Sequence, residues 1–441
     1  MVQWKEPNIN MDSNVEQFLN ELENKLTNLH RDLSVLSGDE QHELITKRAV
    51  HVIKPKLLRK RLDKAKQDKR PLLVKYGIDP TAKDLHLGHI VPIIFARRLQ
   101  QMGHKIALVF GDFTALVGDP TGRVQTRPIL DSEQIIENVS EYKAQVGKFI
   151  DLSKVDIVFN SKFYEDMSIK QLMGIYRQNR LSPLLQREDF RNRADGLTIA
   201  EALYPTLMAI DSVFMRPHIE LGGNDQFLNF QITNEIMKSQ GLPPECAITT
   251  ELLLGTSGDE SKMSKSKGNF ISLRDSAKDI FGKIMSIPDS LLEHYFMLLT
   301  DISDDEWKLL SDWMENGTLN PMEVKKLLAR VLVTIIYSSD EAKAEQIAFK
   351  STFSKGNLPE DVPTFELKRD FGSQPWVELL VEIKFVRSKR EAREFITSGA
   401  LRIFKDGDWE KISDLKAELP KESHFEIKLG KRKFASIKIH S

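Results

Sequence analysis

The chain has 441 residues, enough for two or three domains that each bury a core. Its 41% hydrophobic and 29% charged residues are typical of a globular protein, and no run approaches the ~18 apolar residues of a membrane span. The net charge of −1 excludes a strongly basic or acidic protein, yet residues 375–441 hold 15 Lys and Arg against 11 Asp and Glu. This basic tail is a weak sign of an anionic macromolecular partner, and a solvated charged surface explains it equally well.

Cysteine content and the N-terminal segment bear on the compartment. The single cysteine, Cys246, excludes an internal disulfide and fits a reducing environment. The first residues mix Glu and Asp with polar residues and lack a charged-then-apolar leader. We therefore expect a cytoplasmic protein.

The N-terminal region predicts helices. Apolar residues recur at helical spacing within residues 1–50, and the Ser-Gly-Asp segment at 37–39 breaks the pattern. A basic helix follows over residues 54–69.

The next segment predicts a βαβ unit. Residues 72–76 read as a buried strand closed by Gly77, and residues 106–110 read as a second strand. The helix between them ends near Gly103 and should begin at residues 88–90, where the missing N–H of Pro92 costs no hydrogen bond. Such a unit requires a parallel sheet, with the start of the helix at the ligand-binding edge.

The remaining elements follow in order. Strands are predicted over residues 156–160 and 218–222, and a helical pattern covers residues 288–353. Residues 354–375 look like a linker. In the last 65 residues, Ser388 and Glu391 form a capping-box pattern that opens a helix ending at Gly399.

The His-Leu-Gly-His segment at residues 86–89 is the first chemical motif. Two imidazoles three residues apart at a helix N-terminus face one way, beside free N–H groups and the positive end of the dipole. Gly88 has no side chain, so a nucleotide can lie against the backbone. These donors suit the charge that develops when an α-phosphate is attacked. The alternative is a pair of surface histidines beside a turn glycine.

The Lys-Met-Ser-Lys-Ser segment at residues 262–266 is the second motif. Its ammonium groups, Lys262 and Lys265, can neutralise a departing pyrophosphate together with Mg²⁺. Nearby glycines and serines suit a loop that opens and closes. A solvated basic loop is the alternative. Together, the two motifs predict an enzyme that uses ATP to activate a carboxylate.

Two glycine-containing turns complete the set. In residues 118–123, Asp119 could hold an ammonium, and Arg123, followed by Arg127, could reach phosphate oxygens. In residues 222–226 the glycines permit close approach of a ligand, and Asp225 could accept from ribose hydroxyls. An ordinary polar turn and an N-capped glycine turn are the alternatives.

With these segments in place, the sequence resembles the class I aminoacyl-tRNA synthetases, and specifically the bacterial tyrosyl-tRNA synthetases. The likeness runs from about residue 53 to the C-terminus and is densest over residues 76–127, 204–226 and 262–269. It implies an α/β fold with a Rossmann-like parallel sheet, followed by a helical domain and a small α+β domain of S4 type. The implied domains are an N-terminal helical extension (1–50), the catalytic domain (51–285), a helical anticodon-binding domain (286–355), a linker (356–374) and the S4-like RNA-binding domain (375–441).

The resemblance also implies site residues for the amino acid. Asp211 would accept the phenolic hydroxyl of the substrate, Tyr204 and Asp119 would bind its α-ammonium, and Gln226 would address its carboxylate. The full amino-acid set is Lys75, Asp79, Asp119, Tyr204, Met208, Asp211 and Gln226.

For ATP and RNA the resemblance implies further sets. Thr81 and His86 would grip the γ-phosphate. The catalytic set is Thr81, His86, His89, Arg123, Arg127, Lys262 and Lys265. The residues that bind the nucleotide are Gly88, Gly223, Asp225 and Lys265. RNA would be bound by Ser388, Lys389, Arg390 and Arg393. ATP and Mg²⁺ are the implied cofactors, without a metal site made by the protein, and tyrosine, tRNA(Tyr) and a second copy in a homodimer are the implied partners, with no membrane.

The sequence departs from the family pattern at three single residues and in one segment of the tail. Met208 stands where a glutamine is usual, and Ile210 stands where a tyrosine is usual. Lys75 replaces a second tyrosine that would face the phenol. In the tail, residues 403–406 replace a usual valine-asparagine-glycine hairpin. The changes at 208 and 210 concern amino-acid identity and leave the ATP half untouched.

Three functions are compatible with these residues. The leading prediction is a tyrosine–tRNA ligase that forms tyrosyl-adenylate and transfers tyrosine to tRNA. The second is a related enzyme that activates a different amino acid or uses another acceptor, suggested by Met208 and Ile210. The third is an RNA-binding protein on a retired catalytic scaffold, which the intact phosphate-handling groups oppose.

Overall fold

The computed structural model describes residues 11–81, 83–118, 132–165, 167–180, 182, 198–354, 362–368, 371, 373–405, 408–420, 424–430 and 433–440. The chain forms two compact units, Met1–Lys343 and Ala344–Ser441. Within the described ranges, no helix is both long and apolar enough to cross a membrane.

The first unit is built on a six-stranded sheet with the order β1-β6-β5-β2-β3-β4. The strands are β1 (His51–Ile53), β2 (Leu73–Ile78), β3 (Lys105–Phe110), β4 (Val155–Phe159), β5 (Ile219–Gly223) and β6 (Cys246–Thr250). Strands β2 to β6 are parallel, and β1 pairs antiparallel with β6. The predicted parallel sheet is confirmed. The sequence analysis missed β1 because three residues are too few to show a pattern.

The strand order places a binding crevice beside β2. Strands β3 and β4 follow on one side of β2, whereas β5 and β6 lie on the other. Open parallel sheets bind ligands at such a switch point, outside the carboxyl ends of the strands. Strand β2 does not close at Gly77 as predicted, because its pairing with β3 continues to Ile78 and Phe110.

Ten helices of the first unit precede or connect these strands in the described ranges. They are α1 (Met11–Thr27), α2 (Gly38–Arg48), α3 (Pro55–Asp68), α4 (Leu87–Gln101), α5 (Thr114–Val117), α6 (Ser132–Val146), α7 (Ser161–Glu165), α8 (Ile169–Gln178), α9 (Ile199–Met215) and α10 (Phe227–Ser239). Helix α4 packs against β2, β3, β5 and β6 and is buried along most of its length.

Helix α4 corrects one detail of the prediction. It begins at Leu87, one residue before the predicted range, and ends at Gln101. Pro92 is therefore the sixth helical residue, and its missing N–H leaves the Gly88 carbonyl without the usual helical donor. The helix tolerates this loss next to its N-terminus, at the edge of the ligand crevice.

The helical region after the sheet contains α11 (Ala277–Met285), α12 (Leu292–Leu299), α13 (Asp304–Glu315), α14 (Pro321–Ile336) and α15 (Ser339–Ser354). The predicted helical pattern from residue 288 is confirmed. Asn320 caps α14, which buries its apolar stripe against α11, α1 and α12.

The N-terminal extension is anchored to both parts of the first unit. The Phe18 and Trp313 rings meet edge to face at 5.2 Å, and Glu23 accepts from Arg330 at 2.7 Å. The Leu33 N–H donates to the Gln101 carbonyl at the end of α4. Ser37 caps α2, so the predicted break at residues 37–39 is confirmed. The extension thus joins α4 to α13 and α14.

The second unit has a five-stranded sheet in the order β7-β11-β10-β8-β9. Its elements are β7 (Thr364–Lys368), α16 (Pro375–Glu382), α17 (Lys389–Thr397), β8 (Leu401–Lys405), β9 (Asp408–Ile412), β10 (His424–Leu429) and β11 (Lys433–His440). The linker prediction was wrong for β7, which pairs parallel with β11 over five residues. Strand β7 depends on a partner about 70 residues later, so no local pattern marked it.

Helix α17 differs slightly from its predicted cap. The Glu391 N–H donates to the Ser388 hydroxyl at 3.2 Å, as expected. The Glu391 carboxylate accepts from the backbone of Arg387 instead of Ser388. The chain turns out of the helix at Gly399, whose φ of 72° favours glycine.

Candidate active site

A cavity of about 270 Å³ lies at the carboxyl ends of β2 and β5, beside the N-terminus of α4. Most predicted site residues line it. They are Lys75, Asp79, Thr81, Gly88, His89, Tyr204, Met208, Asp211, Gly223, Asp225 and Gln226. The described amino-acid residues therefore share one crevice with Gly88, Gly223 and Asp225 of the nucleotide set. The side chains of His86, Lys262 and Lys265 are not among the residues that line it. Asp119, Arg123 and Arg127 lie outside the described residues.

The two imidazoles of the first motif lie against each other at the start of α4, with their planes tilted by 32°. The His86 and His89 ring centroids are 3.8 Å apart, and the His86 N–H donates to Nδ1 of His89 at 3.2 Å. A Cβ on Gly88 would lie 3.0 Å from the His86 ring, so a side chain there would crowd the pair. Burial, followed by the charges of Lys265 and Lys262, lowers the pKa of His86 to about 4. His86 is therefore neutral at neutral pH.

Residues 254–273, which carry Lys262 and Lys265 and which we call the lysine loop, lie with their last residues against the start of α4. Ser272 pairs with His86 in an antiparallel bridge, and the Leu87 N–H donates to the Ile271 carbonyl at 3.1 Å. Backbone hydrogen bonds thereby join the histidine motif to the segment that follows the lysine motif. Both lysine amines lie near carboxylates: Lys262 Nζ is 3.7 Å from Asp225, and Lys265 Nζ is 3.8 Å from Asp84. Their charges also act on His86, so the amines lie in the electrostatic range of the imidazoles.

Asp79 lines the cavity and accepts two hydrogen bonds from other residues that line it. Its carboxylate accepts from the Tyr204 hydroxyl at 2.8 Å and from the Thr114 hydroxyl at 2.7 Å. A Cβ on Gly111 would come within 2.0 Å of the same carboxylate, so this glycine makes room for it. Asp79 and Tyr204 thus form one hydrogen-bonded unit. Thr114 was not identified from the sequence.

Asp211 presents an unpaired oxygen at the closed end. Asn160 donates to its Oδ2 at 3.4 Å, whereas its buried Oδ1 has no hydrogen-bond partner among the described residues. Burial raises the pKa of Asp211 to about 7, against the opposing effects of Lys75 and Asn160. A buried acceptor without a partner is costly, so this atom fits a hydroxyl donor supplied by a ligand.

Lys75 pairs with a residue that the sequence analysis did not identify. Its Nζ lies 2.6 Å from Glu220 and 2.8 Å from the Ser212 hydroxyl, and both charged side chains are at most 2% exposed. Burial opposes the Lys75 charge, but Glu220, Asp211 and Glu245 raise its pKa above the ordinary value. Burial, followed by the charge of Glu220, raises the pKa of Glu245 well above its usual value.

A sequence signal for this pair existed. Lys75 and Glu220 are the charged residues inside two otherwise apolar strands, and the register of β2 and β5 sets them opposite each other. Opposite charges in two buried strands predict an ion pair once the strands are known to be neighbours. The sequence analysis left open whether Lys75 pairs with Asp211. In the structure its ion-pair partner is Glu220.

The remaining pocket residues lie where the strands end. Met208 lines the wall, and Ile210 is buried in the apolar cluster behind it. The Gln226 side-chain oxygen accepts from Asn229 at 2.7 Å, which fixes its orientation. A Cβ on Gly223 would lie 2.9 Å from the Asp225 carboxylate. The backbone is therefore bare beside an acidic acceptor.

The residues predicted to bind RNA lie in the second unit. Ser388 caps α17, and the three basic residues hold polar partners of their own unit. Lys389 pairs with Glu378 at 3.2 Å, Arg390 pairs with Glu394 at 3.1 Å, and Arg393 donates to Gln374 at 2.9 Å. Their common position on one helix is what the capping pattern predicted.

Comparison with known proteins agrees with this arrangement. A family model described as tRNA synthetases class I (W and Y) matches residues 66–354, and one described as tyrosine–tRNA ligase SYY-like C-terminal domain matches residues 355–437. The tyrosine–tRNA ligase of Aquifex aeolicus is 40% identical over 402 residues, covering 90% of this chain and 98% of the relative. That of Desulfotalea psychrophila is 38% identical, covering 91% and 98%.

Solved structures share the fold. A C-terminally truncated mitochondrial tyrosyl-tRNA synthetase of Aspergillus nidulans aligns with a TM-score of 0.59 at 20% identity, covering 78% of this chain and 99% of that one. A tyrosyl-tRNA synthetase of Archaeoglobus fulgidus complexed with L-tyrosine gives 0.56 at 21% identity, covering 70% and 99%. The predicted fold class and resemblance are confirmed. The chain belongs to the class I tRNA synthetases of the tryptophan and tyrosine family.

Proposed function

We propose that the chain is a tyrosine–tRNA ligase: it activates tyrosine with ATP to form tyrosyl-adenylate and then transfers the tyrosyl group to tRNA(Tyr). One observation carries this proposal. At the closed end of the crevice, the buried Oδ1 of Asp211 has no hydrogen-bond partner among the described residues. The rings of His86 and His89 and the amines of Lys262 and Lys265 lie beside the other end, which we call the mouth. Curated relatives at 38–40% identity over nearly their whole length bear this name.

At the closed end, Asp211 accepts the phenolic hydroxyl of tyrosine through its free oxygen. A site that hydrogen-bonds a substrate hydroxyl rejects the analogue without it by about 10⁴–10⁵, a figure that comes from this same class of enzyme. The Asp79–Tyr204 unit and Asp119 hold the α-ammonium, and Gln226 addresses the carboxylate. Lys75 is fixed at this end by its ion pair with Glu220, and Met208 forms part of the cavity wall.

At the mouth, His86, His89 and Thr81 surround the triphosphate, and Gly88, Gly223 and Asp225 hold the nucleoside. The tyrosine carboxylate attacks the α-phosphorus, the bond to the β-phosphate oxygen breaks, and pyrophosphate leaves. Lys262, Lys265, Arg123 and Arg127 stabilise the leaving group. The described residues contain no cluster of three or more His, Cys, Asp or Glu placed to hold a metal. We infer that Mg²⁺ enters as part of the substrate, bound to the phosphates of ATP.

In the second step, a ribose hydroxyl of tRNA attacks the carbonyl of tyrosyl-adenylate, and AMP leaves. Ser388, Lys389, Arg390 and Arg393 on α17 contribute to RNA binding in the second unit, by phosphate contacts of the basic side chains. We place the reaction in the cytoplasm, a reducing compartment that fits a chain with the single cysteine Cys246.

A homodimer completes the proposal. Among the described residues, Ile169 and Met173 on α8 and Phe214 on α9 are 79%, 56% and 49% exposed. We assign these exposed apolar side chains to the interface with the second copy, which would cover them. Sedimentation of the wild type should give a dimer, and Met173→Glu should shift it toward monomer. A monomeric wild type would contradict this part.

Amino-acid-dependent exchange of pyrophosphate into ATP tests the first step. Each of the twenty amino acids is assayed at equal concentration, and tyrosine should support exchange far above all others, phenylalanine included. Strong exchange with a different amino acid would favour the second candidate, to which Met208 in the pocket wall points.

Aminoacylation tests the RNA-binding unit. Removal of residues 355–441 should abolish tRNA charging and spare exchange. This cut is cleaner than removal of 375–441, which would leave β7 without its partner β11. Retained charging would remove the RNA role from the second unit.

A further inference from the structure

Two adjacent side chains of α12 hold both polar backbone groups of one residue, Leu254. The Leu254 N–H donates to Nε2 of His294 at 3.0 Å, and the Leu254 carbonyl accepts from the Tyr295 hydroxyl at 2.9 Å. Tyr295 is fully buried, and His294 is 14% exposed in its side chain. Buried hydrogen bonds of this kind fix position, since breaking one leaves a desolvated partner.

Leu254 is where the lysine loop begins. It pairs with Lys262 in an antiparallel bridge, and the Met263 N–H donates to the Leu253 carbonyl at 2.7 Å. A further bond runs from the Gly255 N–H to the Ser261 carbonyl at 2.8 Å. A displacement of Leu254 therefore moves the backbone of Lys262 with it.

The far end of the same loop is tied elsewhere. Residues 271–273 pair with residues 85–87, beside His86. The lysine loop is therefore held at both ends. Residues 85–87 hold its C-terminal end, and α12 of the helical region holds its N-terminal end. Lys262 Nζ faces the partly exposed Asp225 carboxylate at 3.7 Å, and a pair of this kind contributes little to fixing the loop.

We propose that His294 and Tyr295 are positioning residues for pyrophosphate release: by holding Leu254, they set the place of Lys262 and Lys265 relative to His86. The inference rests on the proposed function, which gives these amines their task. To accept from the Leu254 N–H, Nε2 of His294 must carry no proton, so the neutral ring carries its proton on Nδ1. Nδ1 lies 3.6 Å from the Glu251 carboxylate. The helical region thereby takes part in the ATP step without touching ATP.

Paired hydroxyl deletions test the proposal. Tyr295→Phe removes only the hydroxyl that holds Leu254, and we expect kcat for tyrosine-dependent exchange to fall about 3- to 10-fold, with the KM for tyrosine unchanged. Tyr337→Phe is the matched control, because its hydroxyl also donates to a backbone carbonyl, that of Asp275, beyond the loop. It should stay within about twofold of wild type.

His294 supplies a rescue. His294→Phe keeps the ring and removes the acceptor, so it should lower kcat like Tyr295→Phe. His294→Gln offers a side-chain oxygen in place of Nε2 and should recover most of the activity. If His294 only filled space, His294→Gln would not have a higher kcat than His294→Phe.

A double-mutant cycle identifies the route of action. If the helix acts through Lys262, Tyr295→Phe should cost much less in the Lys262→Ala background than in wild type. Equal costs in both backgrounds, or equal losses in Tyr295→Phe and Tyr337→Phe, would overturn the proposal.

Hydrogen exchange of the ligand-free protein separates this proposal from the proposed function. Amides of residues 253–263 should exchange faster in Tyr295→Phe than in wild type, and unchanged protection would overturn the claim that α12 holds the loop. If the wild type lacks tyrosine-dependent exchange of pyrophosphate, the proposed function fails instead.

Discussion

Two lysine–carboxylate pairs of the proposed site differ in spacing and in burial. Lys75 and Glu220 are 2.6 Å apart, and their side chains are 1% and 2% exposed. Lys262 and Asp225 are 3.7 Å apart, and theirs are 45% and 31% exposed. A buried pair is fixed by the cost of separating desolvated charges, whereas an exposed pair is screened and contributes little.

The contrast matches the two tasks of the proposed reaction. The closed end must select one side chain, and selection requires groups fixed before the substrate arrives. The mouth must receive a triphosphate and release pyrophosphate, and weak pairs allow the amines to exchange a carboxylate for a phosphate. Lysine is therefore held in a buried ion pair at Lys75 and only weakly paired at Lys262.

Breaking the buried pair should have the largest effect. Lys75→Met leaves Glu220 buried and unpaired, and we expect it to destabilise the first unit by about 3–5 kcal/mol. Lys262→Met, at the exposed pair, should change stability by less than about 0.5 kcal/mol. Urea midpoints of the first unit measure both.

A second substitution sharpens this test. Adding Glu220→Leu to Lys75→Met removes the unpaired charge and should recover most of the lost stability, because well-packed apolar residues can replace a buried pair. No recovery would mean that Lys75 stabilises the fold through other contacts.

At the mouth, the expected effect is on rate. Lys265→Ala should lower adenylate formation by about 100-fold, as loss of one preorganised charge-stabilising group does. Tyrosine binding, measured by equilibrium dialysis, should stay nearly unchanged, since Lys265 is not among the residues that line the cavity. Equal losses in rate and tyrosine binding would contradict the division between the two ends.

The mouth was also the part that the sequence predicted best. The imidazoles and Gly88 are neighbours along the chain, and a strand–turn–helix pattern located them at the sheet edge. The closed end depends on register. Glu220 lies opposite Lys75 only because β2 and β5 are adjacent, although almost 150 residues separate them. Strand β7 escaped prediction for the same reason, since its partner β11 is distant in sequence.

The closed end should also respond to pH. Burial places the pKa of Asp211 at about 7, above the ordinary 3.8 of an aspartate. A phenol that donates to Asp211 favours the ionised carboxylate, so the Kd for tyrosine should fall roughly tenfold per unit as the pH rises to about 7, and then level off. The same shift makes the ligand-free fold lose stability as the pH rises from about 4 through 7.

Asp211→Asn is the control for this pH dependence. Asparagine does not titrate, so the variant should bind tyrosine weakly and with a flat profile over the same range. A flat profile in the wild type would mean that Asp211 does not accept from the phenol as a carboxylate.

The smallest expected effect is that of a substitution at Met208, which should change the KM for tyrosine and not the KM for ATP. Met208 lines the cavity where the family resemblance implies a glutamine, and a thioether does not replace an amide that fixes the ammonium. Met208→Gln should therefore lower the KM for tyrosine about 3- to 10-fold, the worth of one hydrogen bond, and leave the KM for ATP unchanged. If neither KM moves, Tyr204 and Asp79, already joined at 2.8 Å, hold the ammonium without help from position 208.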